Sequence, residues 1–174
     1  SEKPDAYHLG FVLGPRINAC GRVGKAYVSS RLLCSTNPTE AQLLADELNV
    51  KVASDIIDLA KKCDYIIIAV KPAHFYSVIN EISSCLTSNK VLISIAAGIN
   101  LCSIKNGLKE KSSIENVKII RLMPNLPATV GQAMIALSAN EFVEQDEICF
   151  VKKILTGAGK VEQISESLMD CVTG

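Results

Sequence analysis

The sequence predicts a doubly wound, mostly parallel α/β sheet in three layers, α/β/α. Three stretches carry that expectation. Residues 63–72 (CDYIIIAVKP), 90–98 (KVLISIAAG) and 118–125 (KIIRLMPN) are short, β-rich apolar runs that each close in a Lys-Pro, Gly or Pro-Asn turn. Runs this short and this apolar read as buried strands of a parallel sheet, and the helical patterns between them supply the crossovers. Pro72 is expected to end the first run, because proline has no N–H for the ladder.

The elements follow in order. Residues 9–13 (LGFVL) form a first short strand, broken by Gly14-Pro15. Residues 16–30 are weakly helical, since Gly21 and Gly24 each cost a helix about 1 kcal/mol relative to alanine. Residues 31–35 (RLLCS) make a second strand. Asn37 as N-cap and Pro38 in the first turn open a helix whose apolar face is Ala41, Leu44, Ala45 and Leu48. Residues 51–53 read as a third, very short strand. Ser54 or Asp55 caps a helix through Ile57, Leu59 and Ala60 that delivers the chain to the 63–72 run. The next amphipathic helix spans 73–86, with Phe75, Val78, Ile79 and Ile82 inward. A short helix lies near 101–108, and 112–116 is a polar loop. After the 117–123 strand and the 124–131 turn, residues 134–138 read as an edge strand. A helix over 144–155, a turn at 157–159, a strand over 161–164 and a helix begun at 165–171 complete the chain. All 174 residues fit one domain with a real core.

Composition narrows the function. Formal net charge is zero, which argues against nucleic acid or an acidic membrane surface as partner. Mean hydropathy is +0.26, yet no apolar run nears the ~20 residues of a membrane helix. The first ten residues lack the basic start and apolar middle of a signal peptide, so the expected location is cytoplasmic. Seven cysteines form no CxxC pair, and with only His8 and His74 beside them they read as buried, reduced thiols and not as a metal site.

In an open α/β sheet, ligands sit outside the carboxyl ends of the strands. The edge to inspect is therefore Ala69-Val70-Lys71-Pro72, Ala96-Ala97-Gly98 and Met123-Pro124-Asn125. Taken singly these are weak: Lys71 is also what a solvated strand end looks like, and Gly98 is also what a tight turn needs. MPNLP says more, because two prolines fix the backbone around Asn125, whose amide both donates and accepts.

Read together, the three turns resemble the N-terminal domain of pyrroline-5-carboxylate reductase. The matching residues are 69–72 (AVKP), 93–99 (ISIAAGI), 120–128 (IRLMPNLPA), Val130-Gly131, 159–162 (GKVE) and 169–174 (MDCVTG). The resemblance starts near Val50. It implies a Rossmann-like domain that binds NADPH or NADH and serves hydride transfer to a cyclic imine in proline biosynthesis. It further implies cofactor contacts from Gly14, Ala69, Val70, Lys71, Pro72, Ala96, Ala97, Gly98 and Asn125, with Asn125 toward the nicotinamide; catalytic residues are not specified. Two departures accompany it. Gly10, Gly14, Gly21 and Gly24 do not reproduce the GxGxxG spacing, Pro15 removes a phosphate-facing N–H for which Arg16 is the candidate substitute, and Ile56 stands where the family usually has asparagine. The helical dimerisation domain that follows in the family is not in these residues, so weak or absent catalysis by this chain alone is expected, together with self-association through apolar surface left near 168–172.

Residues 10–22 (GFVLGPRINACGR), Gly24-Lys25-Ala26 and 39–49 (TEAQLLADELN) resemble a different family, the middle of a RecJ-type single-stranded-DNA exonuclease. The Asp-His-His metal motif of that chemistry is missing, so nuclease activity is not expected. The combined expectation is one sheet completed by an exonuclease-like 1–49 segment joined near Asn49–Val50 to a reductase-like 50–174 segment. The alternatives are a non-catalytic folded chimera or interaction module without cofactor, and, more distantly, a nucleic-acid-binding fragment.

Overall fold

The structure is a computed structural model that describes residues 42–43, 45–46, 51–109, 116–125, 127–128 and 131–173, with the backbone alone at 172 and 173. The expected strands at 9–13 and 31–35, the helix at 16–30, most of the helix at 38–48, Gly14, Arg16 and nearly all of the 112–116 loop lie outside the described residues.

The described residues form a five-stranded sheet in the order β1-β2-β3-β4-β5. The strands are β1 (Tyr65–Ile68), β2 (Val91–Ser94), β3 (Lys118–Met123), β4 (Ala133–Ala139) and β5 (Gly159–Gln163). β1, β2 and β3 are mutually parallel, β4 is antiparallel to β3, and β5 is parallel to β4. The helices are α1 (Ile56–Lys62), α2 (Pro72–Ile82), α3 (Leu101–Lys109) and α4 (Gln145–Leu155), with a closing 3-10 segment over Glu166–Thr173.

The chirality of crossovers explains the layers. From β1 to β3 the chain steps one way across the sheet, so right-handed connections put α2 and α3 on one face. β4 reverses direction but the stepping continues, and the same handedness then puts α4 on the other face. Two cores result. Ile66, Ile68, Leu92 and Ile119 pack under α1, α2 and α3, while Val91, Ile93, Ile120, Leu122, Ile135 and Leu137 pack under α4.

Local chemistry sets the elements. Asp55 is the N-cap of α1, its carboxylate accepting from the Asp58 N–H at 2.7 Å. The far end of α1 is closed from outside: the buried Lys90 ammonium donates to the carbonyls of Cys63 (2.6 Å) and Lys61 (3.2 Å), placing a cation at a helix C-terminus. α2 buries Phe75, Val78, Ile79 and Ile82, the four residues its spacing places on one face. Each such burial contributes about 1.5–3 kcal/mol. α4 begins in a reciprocal capping box between Glu144 and Glu147.

Several expectations are corrected. Residues 51–53 carry no strand: Lys51 and Val52 are exposed, and three residues without a paired neighbour do not make a ladder. β1 is not buried on both faces, since Tyr65 and Ile67 are only half-buried. Pro72 does not end it; the strand stops at Ile68, and Pro72 opens α2, where its missing N–H is no loss. The 134–138 strand is not an edge, because β4 lies between β3 and β5. The turn expected at 157–159 sits at 156–158, with Gly159 already in β5. The last helix is a 3-10 segment. In the first helix Ile57 is exposed, while Ile56 fills the core. Of the described cysteines only Cys85 is buried; Cys63 is half-buried, and Cys102, Cys149 and Cys171 are exposed.

Candidate functional site

Because β1, β2 and β3 are parallel and in register, their carboxyl ends emerge side by side. Ile68 pairs with Ser94, and Ser94 with Arg121. The turns after β1, β2 and β3 therefore share one edge, as the sequence reading required. Reversed β4 and β5 contribute their first residues to this same edge.

After β1, Ala69 and Val70 are half-buried, with Val70 packed on the α2 core, and Lys71 and Pro72 are exposed. Lys71 is the N-cap of α2 in backbone geometry only; no side chain caps this helix. After β2, the Ser94 hydroxyl accepts from the Ala96 N–H at 3.2 Å and folds the chain into a turn. Ala96 is buried in the core, whereas Ala97 and Gly98 are exposed. Gly98 has φ of 74°, and nothing lies within 4 Å of where a Cβ would stand. Gly98→Ala is thus expected to cost about 1 kcal/mol, from the backbone alone. Chemical denaturation measures it, and a loss of several kcal/mol would reveal packing at this turn that the geometry lacks. After β3, Asn125 is exposed and its carbonyl oxygen accepts from the Met134 N–H at 3.1 Å. One end of that amide docks the turn onto β4, and the NH₂ end remains for other contacts.

Ile56, set against asparagine in the resemblance, is buried in the hydrophobic core at the start of α1. Among the described residues no group of three His, Cys, Asp or Glu side chains is placed to hold a metal ion. No helix among them is long and apolar enough to cross a membrane.

Sequence reasoning missed the most buried charge among the described residues. Arg121 is 1% exposed in the middle of β3, on the α3 side of the sheet. Its guanidinium meets Glu166 at 2.7 Å and Asp170 at 2.9 Å, both from the 3-10 segment. Burial is the largest single influence and lowers its pKa, but the bonds to Glu166 and Asp170 together outweigh it and leave the pKa raised. Glu166 Oε1 also accepts from the Leu101 N–H at 3.2 Å, at the start of α3. The available signal was a lone arginine inside the apolar run KIIRLM, with two carboxylates spaced four apart near the end.

The family model described as NADP oxidoreductase, coenzyme F420-dependent, matches residues 10–98. The chain belongs to that family of oxidoreductases. Within it, the chain is related to the N-terminal, NADP-binding domain of pyrroline-5-carboxylate reductase. It is 33% identical over 131 residues to that enzyme from Methanosarcina acetivorans, covering 75% of this chain and 47% of the relative. To the Escherichia coli enzyme it is 30% identical, over 95% of this chain and 62% of the relative. A crystal structure of the Plasmodium falciparum enzyme with NADP bound superposes with a TM-score of 0.62 at 35% identity, covering 69% of this chain and 44% of that one. The chain thus spans about half the length of the curated relatives it matches. The family match begins at residue 10 and runs without a stop through Asn49–Val50, where the sequence reading placed a junction.

Proposed function

We propose that this chain is a nicotinamide-dinucleotide-binding domain that takes NADPH or NADH at the edge formed by Lys71, Ala97, Gly98 and Asn125, and that residues 1–49, including Gly14, complete the same sheet. The observation that carries the reading is the convergence of the three matched turns on one edge of a parallel sheet, fixed by the Ile68–Ser94–Arg121 register. The residues present fit a dinucleotide: Ala97 and Gly98 offer a small, exposed turn with open space at Gly98, Lys71 an exposed cation, and Asn125 an amide donor. The family match from residue 10 supports one continuous fold over the first segment.

When bound, the reduced nicotinamide would supply a hydride to the carbon of a cyclic imine whose nitrogen takes a proton, giving proline. Lys71 and Asn125 would orient the dinucleotide, and Ala97 and Gly98 would let it approach the backbone. Positioning of the imine needs groups beyond these, so weak or no turnover is expected of the chain alone. Exposed Leu168 and Met134 offer apolar surface for a second copy.

Calorimetric titration with NADPH and NADH tests this. Saturable binding below millimolar is expected. Asn125→Ala and Lys71→Ala should each weaken it about fivefold, the value of one lost polar contact. No heat at millimolar cofactor, from protein folded by circular dichroism, would favour a non-catalytic folded module instead. A shift of single-stranded DNA at low salt would favour the nucleic-acid reading.

A further inference from the structure

We propose that Glu166 is a positioning residue for the Ala97-Gly98 turn, and that with Arg121 it ties the end of this chain to the dinucleotide edge. The inference rests on the cofactor site proposed above. The turn is held at both ends by polar side chains. At its start, Ser94 Oγ accepts from Ala96 N–H at 3.2 Å. At its end, Asn100 Oδ1 accepts from Ser103 N–H at 2.8 Å and Glu166 Oε1 accepts from Leu101 N–H at 3.2 Å. Asn100 is a local cap. Glu166 comes from 65 residues away in sequence.

Arg121 joins the two ends. It is the register neighbour of Ser94 on β3, and Ser138 faces it from β4. All three are buried and lie on the same face of the sheet. The guanidinium holds Glu166 Oε1 at 2.7 Å, the same oxygen that Leu101 uses. A carboxylate oxygen shared by a buried cation and a helix N–H cannot shift without moving one of them. The pair is also incompletely satisfied: Arg121 Nε and Glu166 Oε2 are buried without a hydrogen-bond partner among the described residues. Such orphaned buried atoms are costly, and they persist where the surroundings fix the geometry for another purpose. Packing holds the segment down as well, with Met169 fully buried against Met123 and Ala136. The position of the 166–170 segment is therefore transmitted to α3 and to the turn before it.

The test compares wild type with Glu166→Ala, Glu166→Gln and Ile148→Ala. Ile148→Ala is a core truncation on the α4 face, which lowers stability without touching the turn. Two readouts are taken on each: NADPH affinity by calorimetry, and amide hydrogen exchange of residues 96–101. Glu166→Ala is expected to weaken NADPH about tenfold and to speed exchange at 96–101 selectively, because one charge-assisted bond is lost at the turn. Glu166→Gln, which keeps an acceptor oxygen for Leu101, should recover most of both. Ile148→Ala should change neither selectively. Uniform acceleration in Glu166→Ala, or an equal loss of affinity in Ile148→Ala, would overturn the positioning role. If wild type binds no NADPH, the cofactor reading fails by itself, and the exchange pattern still decides whether Glu166 holds the turn.

Discussion

Gly159→Ala should remove about 3 kcal/mol or more of stability, the combined effect of a backbone conformation that disfavours side chains and a collision that cannot relax. Gly159 has φ of 152°, and a Cβ there would stand 2.1 Å from the carbonyl oxygen of Ala133 and 2.4 Å from its nitrogen. Both are backbone atoms of the paired strand, for Ala133 is the register partner of Gly159. No rotamer can move out of the way. The only relief is to separate β5 from β4, which also breaks the bond from Ala133 N–H to the Ala158 carbonyl at 3.0 Å. Urea denaturation at neutral pH measures the loss. A cost below about 1 kcal/mol would mean that β5 does not seat on β4 as described.

The second large effect is asymmetric across one ion pair. Replacing both Glu166 and Asp170 by alanine leaves Arg121, 1% exposed, without either of its carboxylates. An uncompensated buried charge of this kind costs about 3–5 kcal/mol. Arg121→Met removes the charge from the other side. Asp170, at 79% side-chain exposure, then meets water, Glu166 keeps the bond from the Leu101 N–H, and the methionine refills part of the apolar volume. The expected loss is less than half that of the double variant. Equal losses in the two proteins, measured by denaturant melts, would show that packing of the 3-10 segment and not charge burial dominates.

How far the sequence disclosed this molecule depends on the range of the interaction concerned. The inward face of α2 was readable because Phe75, Val78, Ile79 and Ile82 recur at helical spacing, and periodicity is a local signal. The alignment of the three turns was readable too, since parallel strands with right-handed crossovers leave little choice about where their ends go. Residues 51–53 were misread because three residues carry no period. The interior place of β4 was hidden: it follows from the reversal after β3, where Asn125 binds the Met134 N–H, and apolar pattern does not encode strand direction. Arg121 looked like an interruption of a strand because its partners lie 45 and 49 residues away. The shared edge of the candidate site was thus legible, and the network supporting it was not.

The reversal of β4 has an electrical consequence. Each helix carries about half a positive charge at its N-terminus and half a negative one at its C-terminus. α2 and α3 follow strands that end at the edge shared by the three turns, so both positive ends converge there; neither has an acidic residue in its first turn, and the α3 end is met by Glu166 through the Leu101 N–H. α4 follows the reversed β4 and opens at the opposite edge. Its positive end is already matched by Asp146, Glu147 and the Glu144 cap, with Lys118 bridging the two glutamates. In a chain of zero formal charge, the uncapped backbone end of α2 therefore adds a standing positive field at one rim of the sheet, beside Lys71. Side-chain changes along that rim would leave the field in place for as long as β1, β2 and β3 stay parallel.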